Sequence, residues 1–136
     1  MSHPSAFKTP EGKTAFLAAY GGAMKLWPVP YEELDLPSRF GTTHVVVSGP
    51  KDAPPLVLLH GFGGCAQNWH PFTAELSERH RLIVVDLRGH GHSTNPENKF
   101  THREAASDVF LLLETLRVGH FSAMVIATAF FPLKFL

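Results

Sequence analysis

The sequence has one cysteine, Cys65, so no intrachain disulfide framework can staple it. It has no excess of either charge. Lys+Arg and Asp+Glu each number 12, and a net charge of zero offers no long-range field toward nucleic acid or acidic lipid. The opening "MSHPSAFKTPEGKTAF" lacks the basic-then-apolar build of a secretory signal, which with the lone thiol sets the expectation of a cytoplasmic protein. No membrane span is expected, since even the apolar stretch "VIATAFFPLKFL" at 125–136 is too short to cross a bilayer. The nine histidines are scattered, and "HGH" at 90–92 has no further ligand at a suitable spacing beside it, so no metal site is expected.

What is present is an ordinary composition, 44% hydrophobic, in a chain of 136 residues, which is one modest domain. Thr9-Pro10-Glu11 reads as a helix start, with Phe16, Tyr20, Met24 and Trp27 following at helical spacing. Gly21-Gly22 is expected to weaken that helix or end it early. The Pro-punctuated lead-in that follows has room for one short edge strand around Glu33–Leu36. "THVVVSG" (43–49) is strand-like. Leu56–Leu59 and Leu82–Val85 are apolar without polar alternation, the pattern of strands buried on both faces. Between them "HPFTAELSERH" predicts a short helix, with Pro71 in its first turn and Phe72 and Leu76 facing inward.

Thr101-His102-Arg103-Glu104 has the form of a capping box, opening a helix with Ala105, Val109, Leu112, Leu113 and Leu116 on one face. "FSAMVIATAFF" is a third apolar strand candidate. Strand, helix, strand, helix, strand spells an α/β domain with right-handed crossovers.

The stretch "LVLLHGFGGCAQNW" raises the functional question, because "GFGG" has almost no side chains with which to do chemistry. A buried parallel strand ending in glycines before a helix puts backbone N–H groups at the carboxyl edge of the sheet, where ligands bind in open α/β folds. A P-loop is excluded, because no Gly-Lys-Ser/Thr follows. A dinucleotide fold would want G-x-G-x-x-G and an acidic residue after the next strand. "GFGGCA" supplies only the first two glycines, although Asp86 does end that strand. The remaining use is an oxyanion hole, an N–H that awaits the negative charge of a tetrahedral intermediate.

"LVLLHGFGGCAQNW" followed by "RLIVVDLRGHGHS" resembles the α/β-hydrolase superfamily, in an esterase-like member, from about Thr43 to about Ala123. The resemblance implies a partial α/β-hydrolase fold, a mostly parallel sheet flanked by helices and truncated after about the fifth strand. It divides the chain into a lead-in (1–42), the amino-terminal half of the hydrolase core (43–124) and a divergent apolar tail (125–136). It implies that Phe62 supplies an oxyanion N–H and that Thr128 stands at the second oxyanion position. His60, Gly61, Gly63 and Gly64 would support the oxyanion loop, and Asp86, Arg88, Gly89, Gly91 and Ser93 the neighbouring loop. No cofactor is implied.

The pattern then breaks. The family's Gly-x-Ser-x-Gly elbow should fall on Val125–Ala129, and Ala127 occupies the nucleophile's place, with no flanking glycine. Ser122, Thr128 and Cys65 are poor substitutes, since none has an identifiable base. The triad acid and histidine follow the nucleophile well downstream in this superfamily, whereas the sequence runs to Leu136. The expectation is a truncated hydrolase, inactive as it stands, whose full-length parent takes a small ester-like substrate. The alternative is a non-catalytic binding or interaction module that pairs with another chain, a second copy included, through an exposed last strand, or binds a small ligand at the glycine edge.

Overall fold

The computed structural model describes residues 7–95 and 101–126. Helix α1 (Pro10–Met24) is capped by Thr9, whose side chain accepts the Gly12 N–H at 3.0 Å. It runs unbroken through Gly21-Gly22 to Met24, against the expectation of an early end. Tyr20 and Met24 on its inner side, and Trp27 just past its end, are buried and tie the helix down, which offsets the weak glycine propensity. Trp27 also donates its indole N–H to Ser48 Oγ at 3.0 Å.

Five strands form one sheet in the order β1-β2-β4-β3-β5. They are β1 (Tyr31–Ser38), β2 (Gly41–Ser48), β3 (Pro55–Leu59), β4 (Arg81–Val85) and β5 (Ser122–Val125). The sheet is parallel across β4–β3–β5 and antiparallel across β1–β2 and β2–β4. Strand β1 extends beyond Glu33–Leu36 at both ends and lies at the sheet edge. Its acidic side chains reach His44 on β2, with Asp35 Oδ1 2.7 Å from Nδ1 and Glu33 Oε1 3.0 Å from Nε2. Charges and Pro37 suit an edge, because they discourage further pairing.

The unbroken apolar runs of β3 and β4 have a direct cause: both faces are covered. Leu56, Leu58, Leu82 and Val84 pack with Tyr20, Met24, Trp27 and Trp69 in one cluster. Val57, Ile83 and Val85 pack on the other face with Ala105, Val109, Leu112 and Leu113. Helix α2 (His70–Leu76) follows a short 3-10 turn (Ala66–Trp69) and lies on the α1 side, with Leu76 against that cluster. Its inward residue is the fully buried Thr73. Phe72 is 50% exposed and stacks edge-on against Trp69, so the expected inward Phe72 is corrected. Thr73 satisfies its buried hydroxyl by donating it to His70 O at 2.9 Å within the helix.

Helix α3 (His102–Thr115) is capped by Thr101, which accepts the Glu104 N–H at 3.1 Å. It covers the opposite face, and its inward residues include one acid, Asp108. Strand β5 is exposed along its whole length.

Candidate functional site at the carboxyl edge of the sheet

Strand β3 delivers residues 60–64 to the carboxyl edge, and β4 delivers residues 86–95 beside them. The first loop turns tightly. Gly64 donates its N–H to Gly61 O at 3.0 Å, and Gly63 between them has φ +84°, a conformation that favours glycine. Phe62 at the tip points outward, 68% exposed, with its ring edge-on to His90 at 5.5 Å.

The second loop is built around Asp86, which is fully buried. Its Oδ1 accepts the Ala66 N–H at 2.7 Å. Its Oδ2 accepts the Tyr20 hydroxyl at 2.9 Å and the His92 N–H at 3.1 Å. One carboxylate thus joins the segment after the glycine loop, helix α1 and its own loop. Burial, and then the negative Asp86, push the Tyr20 hydroxyl far above its ordinary value, so it stays a donor. The Gly91 backbone lies so close that a Cβ there would collide with the Asp86 carboxylate, and its φ of +52° also disfavours a side chain. Ser93 donates its hydroxyl to Asp86 O and accepts the His44 N–H at 2.8 Å, pinning the loop to β2.

Arg88 fixes the same loop to α3. Its Nε and Nη2 hold Asp108 at 2.7 and 2.9 Å, and Nη1 reaches Glu104 at 2.9 Å. The fork-to-fork pair is nearly buried, and its hydrogen bonds to Asp108 raise the guanidinium's affinity for its proton despite burial. Phe40 stacks beneath the guanidinium at 5.0 Å.

Two histidines link the loops to each other. His60 Nε2 accepts the Leu87 N–H at 2.9 Å, while its Nδ1 lies 2.7 Å from Gly61 O. His90 Nε2 accepts the Gly63 N–H at 2.9 Å, while its Nδ1 lies 3.0 Å from Arg88 O. The ring centroids are 4.9 Å apart.

Beside the first loop a cavity of about 750 Å³ opens between α3 and the ends of β3 and β5. Val57, Leu59, Val109, Phe110, Ala123 and Val125 form its apolar walls, and His60 and His102 are its ionisable lining residues. A space of that size and character suits an apolar small molecule or side chains from a packed element.

Phe62, His60, Gly61, Gly63 and Gly64 thus share this edge with Asp86, Arg88, Gly89, Gly91 and Ser93. Ala127 and Thr128 lie outside the described residues. Ser122 sits within β5 rather than in a turn. The Cys65 thiol is buried, and burial raises it above its ordinary value, which keeps it protonated and unreactive. Asp86, committed to three donors with no exposed surface, is unable to reach a ribose hydroxyl, which removes the dinucleotide alternative. Among the described residues no group of three His, Cys, Asp or Glu side chains is arranged to hold a metal ion. Nor is any described helix long and apolar enough to cross a membrane.

Sequence reasoning missed Tyr20 and the Glu104–Asp108 pair. The second had a signal: two acids one helical turn apart, the second on an otherwise apolar face, imply a cation between them. Tyr20 had none, because its partner is 66 residues away.

Comparison with known proteins agrees with this architecture. The uncharacterized carboxylesterase nap of Bacillus subtilis (strain 168) is 42% identical over 83 residues, 61% of this chain and 28% of its own length. Carboxylesterase YbfK of the same organism is 37% identical over 122 residues, 85% of this chain and 41% of its own. The crystal structure of naproxen esterase (carboxylesterase NP) from Bacillus subtilis superposes with a TM-score of 0.79 at 30% identity, covering 88% of this chain and 42% of that one. The chain therefore spans less than half the length of these relatives. Residues 54–125, more than half of the chain, match the sequence profile described as alpha/beta hydrolase fold. The match takes in both loops and the strands that carry them, and on it the chain belongs to the α/β-hydrolase family.

Proposed function

We propose that this chain is the amino-terminal portion of an esterase-like acyl hydrolase, carrying the oxyanion loop without the nucleophile. The observation that carries the reading is the pinned pair of loops at the carboxyl edge, with the Phe62 segment held between β3 and the 3-10 turn. In that role the Phe62 N–H, with a second from Thr128, stabilises the oxygen of a tetrahedral intermediate. Gly61, Gly63 and Gly64 give the backbone its close approach. The likeness to Bacillus subtilis carboxylesterases supports a small ester-like substrate for the full-length parent. A net charge of zero gives nucleic acid no electrostatic footing.

Ala127 stands where the nucleophile belongs, and a methyl group cannot attack a carbonyl. The chain itself is inactive on this reading. The test is hydrolysis of a short-chain p-nitrophenyl ester by the purified protein beside a Phe62→Pro variant, which lacks the assigned N–H. Turnover no faster than buffer is expected for both. Turnover by the parent chain that the variant loses would overturn the inactivity and keep the oxyanion assignment.

A second reading rests on β5, which is exposed along its length at the sheet edge. There the chain is an interaction module that pairs with a second copy strand to strand.

A further inference from the structure

The two loops could be joined by any chance set of contacts, but the histidine contacts are reciprocal. His60 belongs to the first loop and holds an N–H of the second; His90 belongs to the second and holds an N–H of the first. In each ring Nε2 receives a backbone N–H, so it must carry a lone pair, and Nδ1 faces a carbonyl, so it must carry the proton. Both rings are thereby fixed as the same neutral tautomer. We infer that His60 and His90 are a reciprocal pair of positioning residues, each holding one N–H of the opposite loop and together fixing the direction in which the Phe62 backbone faces. The inference rests on the oxyanion reading of that loop and supplies the device that keeps it in shape without substrate.

The arrangement makes the brace sensitive to acid. An imidazolium donates from both nitrogens and cannot accept an N–H, so a proton on His60 releases Leu87, and one on His90 releases Gly63. At His60 the neighbouring His90 opposes the charged form and Asp86 favours it, both less than burial does. Asp86 is committed to three donors, Arg88 is committed to Asp108 and Glu104, and His102 lines the cavity on the α3 side. Burial holds His60 below its ordinary value of 6.5, outweighing the Gly61 carbonyl that favours its charge. The unfolded chain therefore takes up that proton first. The stability carried by neutral His60 is complete above the ordinary histidine value and is lost as pH falls toward the folded one.

The experiment is nitrogen-15 NMR on the purified chain, reading the ring nitrogens and the amide exchange of Gly63 and Leu87. Both rings are expected to show Nε2 as the unprotonated nitrogen. His90→Leu should speed exchange at Gly63 by about tenfold while leaving Leu87 nearly unchanged. His90→Gln, whose carbonyl oxygen can accept the same N–H, should restore protection. On lowering pH from about 8 to about 5, the range in which histidine changes charge, Leu87 protection should fall in step with the His60 ring signal. An Nε2–H tautomer in either ring would overturn the brace, as would Gly63 exchange that His90→Leu leaves unchanged. The tautomer and pH readings need only the parent chain, so a variant that fails to fold does not block the test. Ester turnover is a separate reading. A brace without turnover in the full-length parent sinks the hydrolase proposal alone, and turnover with the wrong tautomers sinks the brace alone.

Discussion

Asp86 shows how much one buried carboxylate can organise. Its three donors come from Tyr20, Ala66 and His92, in separate parts of the chain, and the Gly91 backbone closes over it. Asparagine would keep the size but put an amide NH₂ where one oxygen accepts, so at least one N–H or hydroxyl would lose its partner in a site without water contact. We expect Asp86→Asn to destabilise the fold by about 2–4 kcal/mol, since hydrogen bonds to a charged group contribute more than neutral ones and an orphaned donor adds its desolvation cost. Urea denaturation monitored by tryptophan fluorescence measures this directly; a change within a few tenths of the parent would show that the carboxylate is dispensable. Tyr20→Phe is the milder companion, as it removes one donor and leaves the carboxylate with two.

At the level of elements, much was legible because local chemistry and tertiary fold agree. The apolar runs of β3 and β4 announced strands covered on both faces, and two packed clusters cover them. Thr9 and Thr101 announced helix starts and cap α1 and α3. In the short helix α2 the expected inward direction held for Leu76 and failed for Phe72. Seven residues of α2 do not specify a face by periodicity, and the helix buries Thr73 rather than Phe72. Glycine propensity likewise misjudged α1, whose stability comes from Tyr20 and Met24 docking rather than from its own backbone. The two loops were visible as motifs. A motif names residues, however, and the hydrogen bonds of His60, His90 and Arg88 are known only once the chain is folded. Because Thr101 is an exposed cap whose side chain accepts the Glu104 N–H, its effect should be local. Thr101→Ala should lower stability by about 1 kcal/mol, the usual cost of losing a side-chain cap. Denaturation midpoints for the two proteins at equal slope check it, and an unchanged midpoint would mean that Arg88 alone holds the start of α3.

At the scale of the whole molecule, the cavity and the open β5 edge have one geometric origin. The connection from β3 through α2 to β4 moves toward β2, while that from β4 through α3 to β5 crosses β3 in the other direction. Right-handed connections running in opposite directions must place their helices on opposite faces, and the two clusters show that they do. A further parallel strand on β5, reached the same way, would bring its connecting helix to the α3 face, over the apolar walls of the cavity. Among the described residues β5 pairs only with β3, and its outer edge is flanked by Met124 and Val125, which are 45% and 64% exposed. An edge of that kind is a template for pairing, and zero net charge puts no repulsion in its way. The purified chain should therefore associate as its concentration rises, and sedimentation velocity should resolve a discrete dimer. Val125→Lys places a charge on the edge and should return the protein to a monomer without lowering its denaturation midpoint, since the side chain contributes little to either cluster. A chain that sediments as a monomer throughout would remove the interaction-module reading. Indefinite aggregation that Val125→Lys fails to relieve would rule out strand pairing at β5 as its cause.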